Sequence, residues 1–237
     1  LNPYPIFQRH LTIIDKEHTS QSMKGRFEDM LHLAENMIDF YILYNGPECG
    51  ASAPDHMHFQ AAGKEESLST PFFKDFLNDI IEQTDFDDVP AIVNSYANNT
   101  FITSIGLASI LRSELIEKFE NIYNILSTFY GKEPLINIIA WYAIDSTKHG
   151  EDDEVVAWNC VIFLRSKHRP DCYYNQREKG LLISPAVAEM GGVFPIIREE
   201  DMDKLNTKEI IDIYKEISLP PEQFETLCDE LFRKDEV

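Results

Sequence analysis

Basic residues are scarce in this chain of 237 residues, where 21 Lys and Arg stand against 41 Asp and Glu and give a formal net charge of −20 at pH 7. Binding to a nucleic-acid polymer or to an anionic membrane surface depends on clustered Lys and Arg. The acidic excess therefore argues against both of these partners. A small anionic ligand held in a local basic pocket remains compatible with it.

Cysteine and long apolar runs are also scarce. The four cysteines form no Cys-x-x-Cys pair, and four are too few for a disulfide scaffold of this size. We therefore expect a reducing, cytoplasmic location. No uninterrupted apolar run approaches the ~20 residues that a bilayer span needs, and a composition with 43% apolar residues indicates a globular protein rather than a disordered one.

Apolar periodicity predicts an α+β fold in which the order strand–helix–strand–strand occurs twice. The first set is predicted over 6–14, 22–37, 40–45 and 56–62, and the second over 100–106, 113–130, 135–143 and 155–165. A short helix is predicted around Phe72–Ile81, and polar helices follow residue 196. We interpret the repeat as an internal duplication. Coincidence in an α+β chain is the alternative.

The most informative residues are His56, His58 and Gln60. They alternate on a predicted strand, so their side chains share one face, whereas Met57 and Phe59 point the other way into a core. Three aligned polar groups are costly to bury without a partner. They suit a ligand with several acceptor oxygens, such as a phosphate chain. A polar edge strand after a tight turn is the alternative.

The loop before this strand is rich in small residues, among them Gly50, Ala51 and Ser52. Small residues allow backbone N–H groups to close on an anion, and a serine can add its hydroxyl. We take these three residues and the preceding Asn45 as candidate substrate contacts.

The pattern N-G-P-x-x-G-A-S followed by H-x-H-x-Q, over residues 45–60, resembles the nucleotidyltransferase branch of the histidine-triad superfamily. That branch includes galactose-1-phosphate uridylyltransferases, diadenosine-tetraphosphate phosphorylases (ATP adenylyltransferases) and GDP-hexose phosphorylases. The segments N-P-x-P…H-L-x-I…K-x-H over 2–18 and W-N-C-V-I-F-L-R…S-P-A…G-G over 158–192 extend the similarity. Asp55 departs from it, because it makes the spacing from Ser52 to His56 one residue longer than in the adenylyltransferases.

The resemblance implies a histidine-triad-like antiparallel sheet with packed helices. Residues 1–90 would form the catalytic half, and 91–237 a second, degenerate half with C-terminal helices. Because the chain begins with Leu1 inside the pattern, we expect an N-terminal portion to be missing from the first half.

The resemblance also implies a mechanism. His58 would attack the α-phosphorus of a nucleotide or nucleotide sugar, and a phosphate or sugar phosphate would then accept the nucleotide. His56 would support the loop or the leaving group, and Gln60 would hold a phosphate oxygen. An amide cannot act as an acid, so Gln60 favours transfer over hydrolysis. A histidine-triad hydrolase of dinucleotides or nucleotide sugars and a non-catalytic nucleotide-binding module remain the alternatives.

The densest cationic cluster comprises Arg165, Lys167, His168 and Arg169 at the end of a predicted strand. We take these residues, with Lys179, as candidate phosphate contacts. Solvated charges at a strand end are the alternative. Arg9, His10, Lys16 and His18 form a second basic group.

No cofactor is firmly indicated, although a divalent metal, Zn or Mg, stays open. Cys49, His56 and His58 are of the ligand types that zinc accepts, but their spacing is not a recognised structural-zinc pattern. A homodimer is also left open.

Overall fold

The structure is a computed structural model that describes residues 1–64, 91–93, 101–145, 155–175 and 180–231. The strands are β1 (His10–Ile14), β2 (Phe40–Asn45), β3 (His58–Gly63), β4 (Ala91–Val93), β5 (Ser104–Ser109), β6 (Ile136–Asp145) and β7 (Val155–Leu164). The helices are α1 (Phe27–Asn36), α2 (Arg112–Tyr130), α3 (Asp171–Tyr174), α4 (Val187–Met190), α5 (Glu199–Met202), α6 (Thr207–Ile217) and α7 (Pro221–Leu231). None of the helices in these ranges has both the length and the hydropathy required to cross a bilayer.

All seven strands form one antiparallel sheet in the order β1-β3-β2-β6-β7-β5-β4. Its central pair is β2 and β6, with Leu43 opposite Ile139. The α+β prediction is therefore confirmed.

The same connectivity occurs on both sides of this central pair. In the first half β3 lies between β1 and β2, and in the second half β7 lies between β5 and β6. A helix follows the first strand in each case. The order strand–helix–strand–strand is thus present twice, about an approximate twofold axis between β2 and β6. The division at residue 90 and the helix around Phe72–Ile81 lie outside the described residues, and the two-half division stays a prediction.

Two apolar layers cover the sheet, one on each face. On the first face, α1, α2 and α7 pack over a core that includes Phe27, Phe119 and Phe224. Phe27 and Phe119 stack with their ring centroids 3.7 Å apart. The opposite face is covered by α6 and the segment 181–194, with Ile213 and Tyr214 among the contacts.

Local sequence explains where the principal helices begin and end. The amphipathic stripe of α2 ends at Gly131, which adopts a left-handed conformation with φ of 64°, as expected of a helix-ending glycine. The helix α6 begins after Asn206, whose side chain accepts a hydrogen bond from the backbone N–H of Lys208 at 2.9 Å.

Candidate active site

His58 is the first residue of β3, and its imidazole is held in one tautomer by the backbone. Its Nδ1 lies 2.9 Å from the carbonyl oxygen of His56. A carbonyl oxygen only accepts, so Nδ1 carries the proton and the lone pair resides on Nε2. Nε2 has no hydrogen-bond partner among the described residues. The ring therefore has an unprotonated Nε2 that no described residue contacts through a hydrogen bond.

His58 is buried, with 5% of its surface exposed, and lies next to the edge strand of the sheet. Ile14, directly opposite on the edge strand β1, is 64% exposed, and Gln60 is half-buried on the same face. Met57 and Phe59 lie in the helix-side core, as predicted. The predicted strand over 56–62 begins only at His58, however, so His56 lies in the bend before β3 and not on the strand with His58 and Gln60.

Gln60 is held by His10, from the neighbouring strand β1. Ile6 donates its backbone N–H to His10 Nδ1 at 3.1 Å, so the His10 proton resides on Nε2. Nε2 lies 2.7 Å from Gln60 Oε1 and donates to it. Burial lowers the pKa of His10 despite the opposing effect of Gln60, which favours this neutral form. The amide NH2 group of Gln60 is thereby directed away from His10.

Gln21 fixes the start of β3 and is a site residue that the sequence did not reveal. Its Nε2 donates to the carbonyl oxygens of Asn45 and His58, at 2.9 and 3.0 Å. Its Oε1 accepts the backbone N–H of His58 at 2.9 Å. Gln21 is 1% exposed and precedes α1. Nothing in its local sequence distinguishes it from a surface glutamine.

His56 lies at the rim of the site. Its Nε2 donates to the carbonyl oxygen of Asp15 at 3.0 Å, and its ring stacks on that of His18 at 4.7 Å. His18 in turn lies 3.2 Å from a carboxylate oxygen of Asp55. His56 thus ties the end of β1 to the loop before β3, and its own carbonyl oxygen orients His58.

The loop before β3 is anchored by a buried polar network. Asn45 Oδ1 accepts hydrogen bonds from Asn137 Nδ2 at 2.7 Å and from the backbone N–H of Val187 at 2.8 Å. Gly50 has φ of 93°, and a Cβ atom there would lie 2.4 Å from Ala186 Cβ. The loop therefore contacts the segment that begins α4 so closely that only glycine fits at position 50.

Arg165 connects this network to the second half of the chain. Its guanidinium is fully buried and donates to Asn137 Oδ1 at 2.8 Å and to the carbonyl oxygens of Pro185 and His168 at 3.0 and 2.8 Å. These bonds hold the chain after β7 against the loop that precedes β3. The structure thus places Arg165 with Asn45 and Gly50, behind the loop.

The other predicted contacts are dispersed. Lys167 pairs with Glu216 and, at 3.0 Å, with Asp171, while His168 is half-buried with a pKa lowered mainly by burial. Ser52 is exposed and Ala51 half-buried in the loop. Lys179 lies outside the described residues.

Cys49, His56 and His58 are not gathered as a set of metal ligands. Among the described residues, no group of three or more His, Cys, Asp or Glu side chains is placed to hold a metal ion. Burial raises the pKa of the Cys49 thiol to about 12.

A cleft of about 470 Å³ lies between β1 and α1 and touches His58. Its floor includes Ile13, Leu33 and Phe59, which belong to the helix-side layer. The lining also includes Ile14, which pairs with His58 across β1 and β3, so the cleft reaches the edge of the sheet beside His58.

The second half has an asparagine where the first has His58. β3 ends at Gly63 and β7 at Leu164, so counting back from these ends places Asn159 at the position of His58. Asn159 Nδ2 donates to the carbonyl oxygen of Ala157 at 3.1 Å, a bond with the same two-residue spacing as that of His58. An amide nitrogen is not basic, so Asn159 lacks the unprotonated ring nitrogen that His58 carries at the corresponding position.

Comparisons with known families match both ends of the chain. A family described as "Domain of unknown function (DUF4922)" matches residues 1–63, and one described as "GDPGP1-like, C-terminal domain" matches residues 157–235. No curated protein and no solved structure matches the chain. The C-terminal match is consistent with a relative of the GDP-hexose phosphorylases, and it suggests an enzyme of the nucleotide-sugar phosphorylase or transferase type.

Proposed function

We propose that this protein is a nucleotidyltransferase of the phosphorylase type that works through a covalent nucleotidyl group on His58. The observation that carries the proposal is the hydrogen bond from His58 Nδ1 to the His56 carbonyl oxygen. This bond leaves the Nε2 lone pair for attack and holds the ring in position before substrate arrives.

In the first step, His58 Nε2 attacks the α-phosphorus of a nucleotide sugar. The bond from this phosphorus to the bridging oxygen breaks, and the sugar 1-phosphate leaves with the electron pair. The ring now bears a positive charge because Nδ1 keeps its proton. The carbonyl oxygen of His56, 2.9 Å away, stabilises that charge.

In the second step, an oxygen of inorganic phosphate attacks the same phosphorus. The bond to Nε2 breaks, the lone pair returns to the imidazole, and a nucleoside diphosphate forms. Both steps pass through a phosphorus centre whose negative charge is spread over its oxygens, so positioned hydrogen-bond donors are the main source of stabilisation.

Gln60 supplies one such donor. Because its Oε1 accepts from His10, its NH2 group faces the position that the α-phosphate would occupy beside His58. Asn45 and Gly50 support the adjacent loop from behind, where Ala51 is half-buried and Ser52 is exposed. We leave Arg165 out of the phosphate contacts because its bonds go to protein groups.

The match of residues 157–235 to the GDPGP1-like C-terminal domain supports the substrate class, a nucleotide sugar with phosphate as acceptor. The base and the sugar are left to experiment. A hydrolase would release the nucleoside monophosphate in the absence of any acceptor, and the test below separates it from a phosphorylase.

Turnover of a panel of nucleotide sugars, with and without inorganic phosphate, tests the proposal. We expect phosphate-dependent formation of a nucleoside diphosphate by the parent, and loss of turnover by at least about a thousandfold in His58→Ala. His32→Ala, which removes an exposed histidine on α1, is the matched control and should keep parental turnover. Full turnover in His58→Ala would overturn the proposal, and a phosphate-independent rate would identify a hydrolase instead.

A further inference from the structure

A second cavity of about 310 Å³ lies in the other half of the sheet, between the start of β5 and the junction of α6 with α7. Two phenylalanines, Phe101 and Phe224, and the pair Pro220-Pro221 contribute apolar walls. β5 and β1 are separated by four strands of the sheet, so this cavity is distinct from the His58 site. Its volume lies at the lower end of the range for small-molecule sites.

The described residues that line the cavity carry one positive charge and no negative one, against the trend of the molecule. That charge is Lys215, whose ammonium lies 4.7 Å from the centre of the Phe101 ring. It forms no ion pair among the described residues, although it interacts at longer range with the Asp212 carboxylate, which does not line the cavity. In a protein with a net charge of −20, a described lining with an ammonium and no carboxylate is complementary to an anion.

An unpartnered hydroxyl adds a second polar feature. Ser218 lines the cavity and is 3% exposed, and its Oγ has no hydrogen-bond partner among the described residues. The neighbouring hydroxyl of Thr103, by contrast, donates to the carbonyl oxygen of Leu219 at 2.6 Å. A buried hydroxyl without a partner costs free energy, and a ligand oxygen would offset that cost.

The first turn of α7 also lies at this cavity, because Pro221 both begins the helix and lines the wall. The positive end of the helix dipole favours an anion at that position. Lys215, Ser218 and the start of α7 therefore line the same cavity, together with aromatic rings and prolines.

From this lining we propose that the cavity binds a small organic monoanion with a planar apolar body, of the size of an aromatic carboxylate. The carboxylate contacts Lys215 and Ser218, and the ring packs between Phe101 and Phe224. This site requires nothing of the His58 chemistry.

Isothermal titration of the whole protein with 2-naphthoate, and with its neutral isostere 2-naphthamide, tests the proposal. We expect 2-naphthoate to bind at one site per chain, and 2-naphthamide to bind at least about tenfold more weakly, which corresponds to about 1.4 kcal/mol. Lys215→Glu and Lys215→Met should each weaken 2-naphthoate by about tenfold or more, and Ser218→Ala by several fold.

Lys24→Glu makes the same charge change at an exposed residue before α1 and should leave the affinity unchanged. Far-ultraviolet circular dichroism confirms that each variant is folded, and Lys215→Met keeps the test valid should the charge reversal unfold α6. Absence of 2-naphthoate binding, equal binding of the amide, or parental affinity in both Lys215 variants would overturn the proposal. Adduct formation at His58 is a separate measurement, so either proposal can fail alone.

Discussion

At the residue scale, tautomers decide the chemistry of the candidate active site. His58 is fixed with its proton on Nδ1 by the His56 carbonyl oxygen, and His10 with its proton on Nε2 by the backbone N–H of Ile6. The second arrangement sets the direction of the Gln60 amide. In the proposed reaction, His10 would therefore act only through Gln60, as a positioning residue.

Replacing His10 with alanine should therefore slow nucleotidyl transfer while His58 stays intact. We expect formation of the covalent intermediate to slow by roughly ten- to hundredfold, because a misdirected donor costs about that much. His10→Gln, whose amide NH2 can still donate to Gln60 Oε1, should recover part of the rate. Rapid-quench measurement of the intermediate checks this. Equal rates in the parent and in His10→Ala would show that Gln60 needs no such support.

Glu189 makes stability depend on pH. Burial raises the pKa of its carboxyl to about 7, outweighing the hydrogen bond from the Ala186 backbone N–H at 2.8 Å. Between its unfolded pKa of about 4.3 and this value, the folded state binds more protons than the unfolded state. The contribution of Glu189 to the free energy of unfolding is therefore present below this window and falls as pH rises through it.

Glu189→Gln should remove that slope, because an amide keeps the acceptor oxygen but does not titrate. Urea unfolding at pH 5, 6, 7 and 8 measures the free energy of unfolding of both proteins. The difference, variant minus parent, should increase as pH rises, by at most about 3 kcal/mol. The pKa of His10 is lowered, so its contribution to the free energy of unfolding decreases as pH falls. That contribution is the same in the parent and in the variant, and it cancels in their comparison. A difference between parent and variant that does not change with pH would contradict the account.

The sequence predicted the residues of β3 well, because strand alternation is a local property. The roles of His10 and Gln21 depend on partners 50 and 37 residues away in the chain, so no local pattern carries them. Arg165 was singled out from the sequence, but as a phosphate contact and not as a buried residue. A cation at a strand end is ordinarily solvated, and only the tertiary network around Asn137 explains its complete burial.

At the element scale, the strongly periodic segments were predicted closely. The predicted strand over 40–45 coincides with β2, and the helix predicted over 113–130 differs from α2 by one residue. β4 was not predicted, because a strand of three residues is too short to show an alternation of apolar and polar residues. The short helix α4 was missed as well, since Val187–Met190 is held by tertiary contacts and by the Glu189 bond to the Ala186 backbone.

The loop before β3 depends on Gly50, and a matched pair of glycines tests this. Both Gly50 and Gly25 have positive φ, at 93° and 65°, but a Cβ at Gly50 would clash with Ala186 and one at Gly25 would meet nothing within 4 Å. Gly25→Ala should lower the free energy of unfolding by about 1 kcal/mol, the cost of left-handed backbone. Gly50→Ala should lower the free energy of unfolding by about 3 kcal/mol or more, because the clash with Ala186 adds to the strain of the left-handed backbone.

Denaturant unfolding and the rate of intermediate formation measure the two glycine variants. We expect Gly50→Ala to slow intermediate formation because the displaced loop lies beside His58, and Gly25→Ala to leave the rate at the parental value. Equal rates in the two variants would mean that the loop position does not matter for the reaction.

At the scale of the whole molecule, two halves of like connectivity share one sheet but carry unlike residues at corresponding positions. His58 and Gln60 of β3 correspond to Asn159 and Val161 of β7. Apolar periodicity in the sequence predicted the repeated order of elements. It could not predict that the two halves pair through β2 and β6, because this pairing joins segments far apart in the chain. Of these two corresponding positions, only the one in the first half therefore carries an imidazole.

Mass spectrometry of the intact protein, after acid quench of a reaction with nucleotide sugars and without phosphate, tests the central claim most directly. We predict a mass increase of one nucleoside monophosphate per chain, located on the peptide that contains His58, absent from His58→Ala and discharged by added phosphate. Asn159→Ala, the matched change in the second half, should form the adduct as the parent does. An adduct on another residue, or its persistence in His58→Ala, would contradict the account.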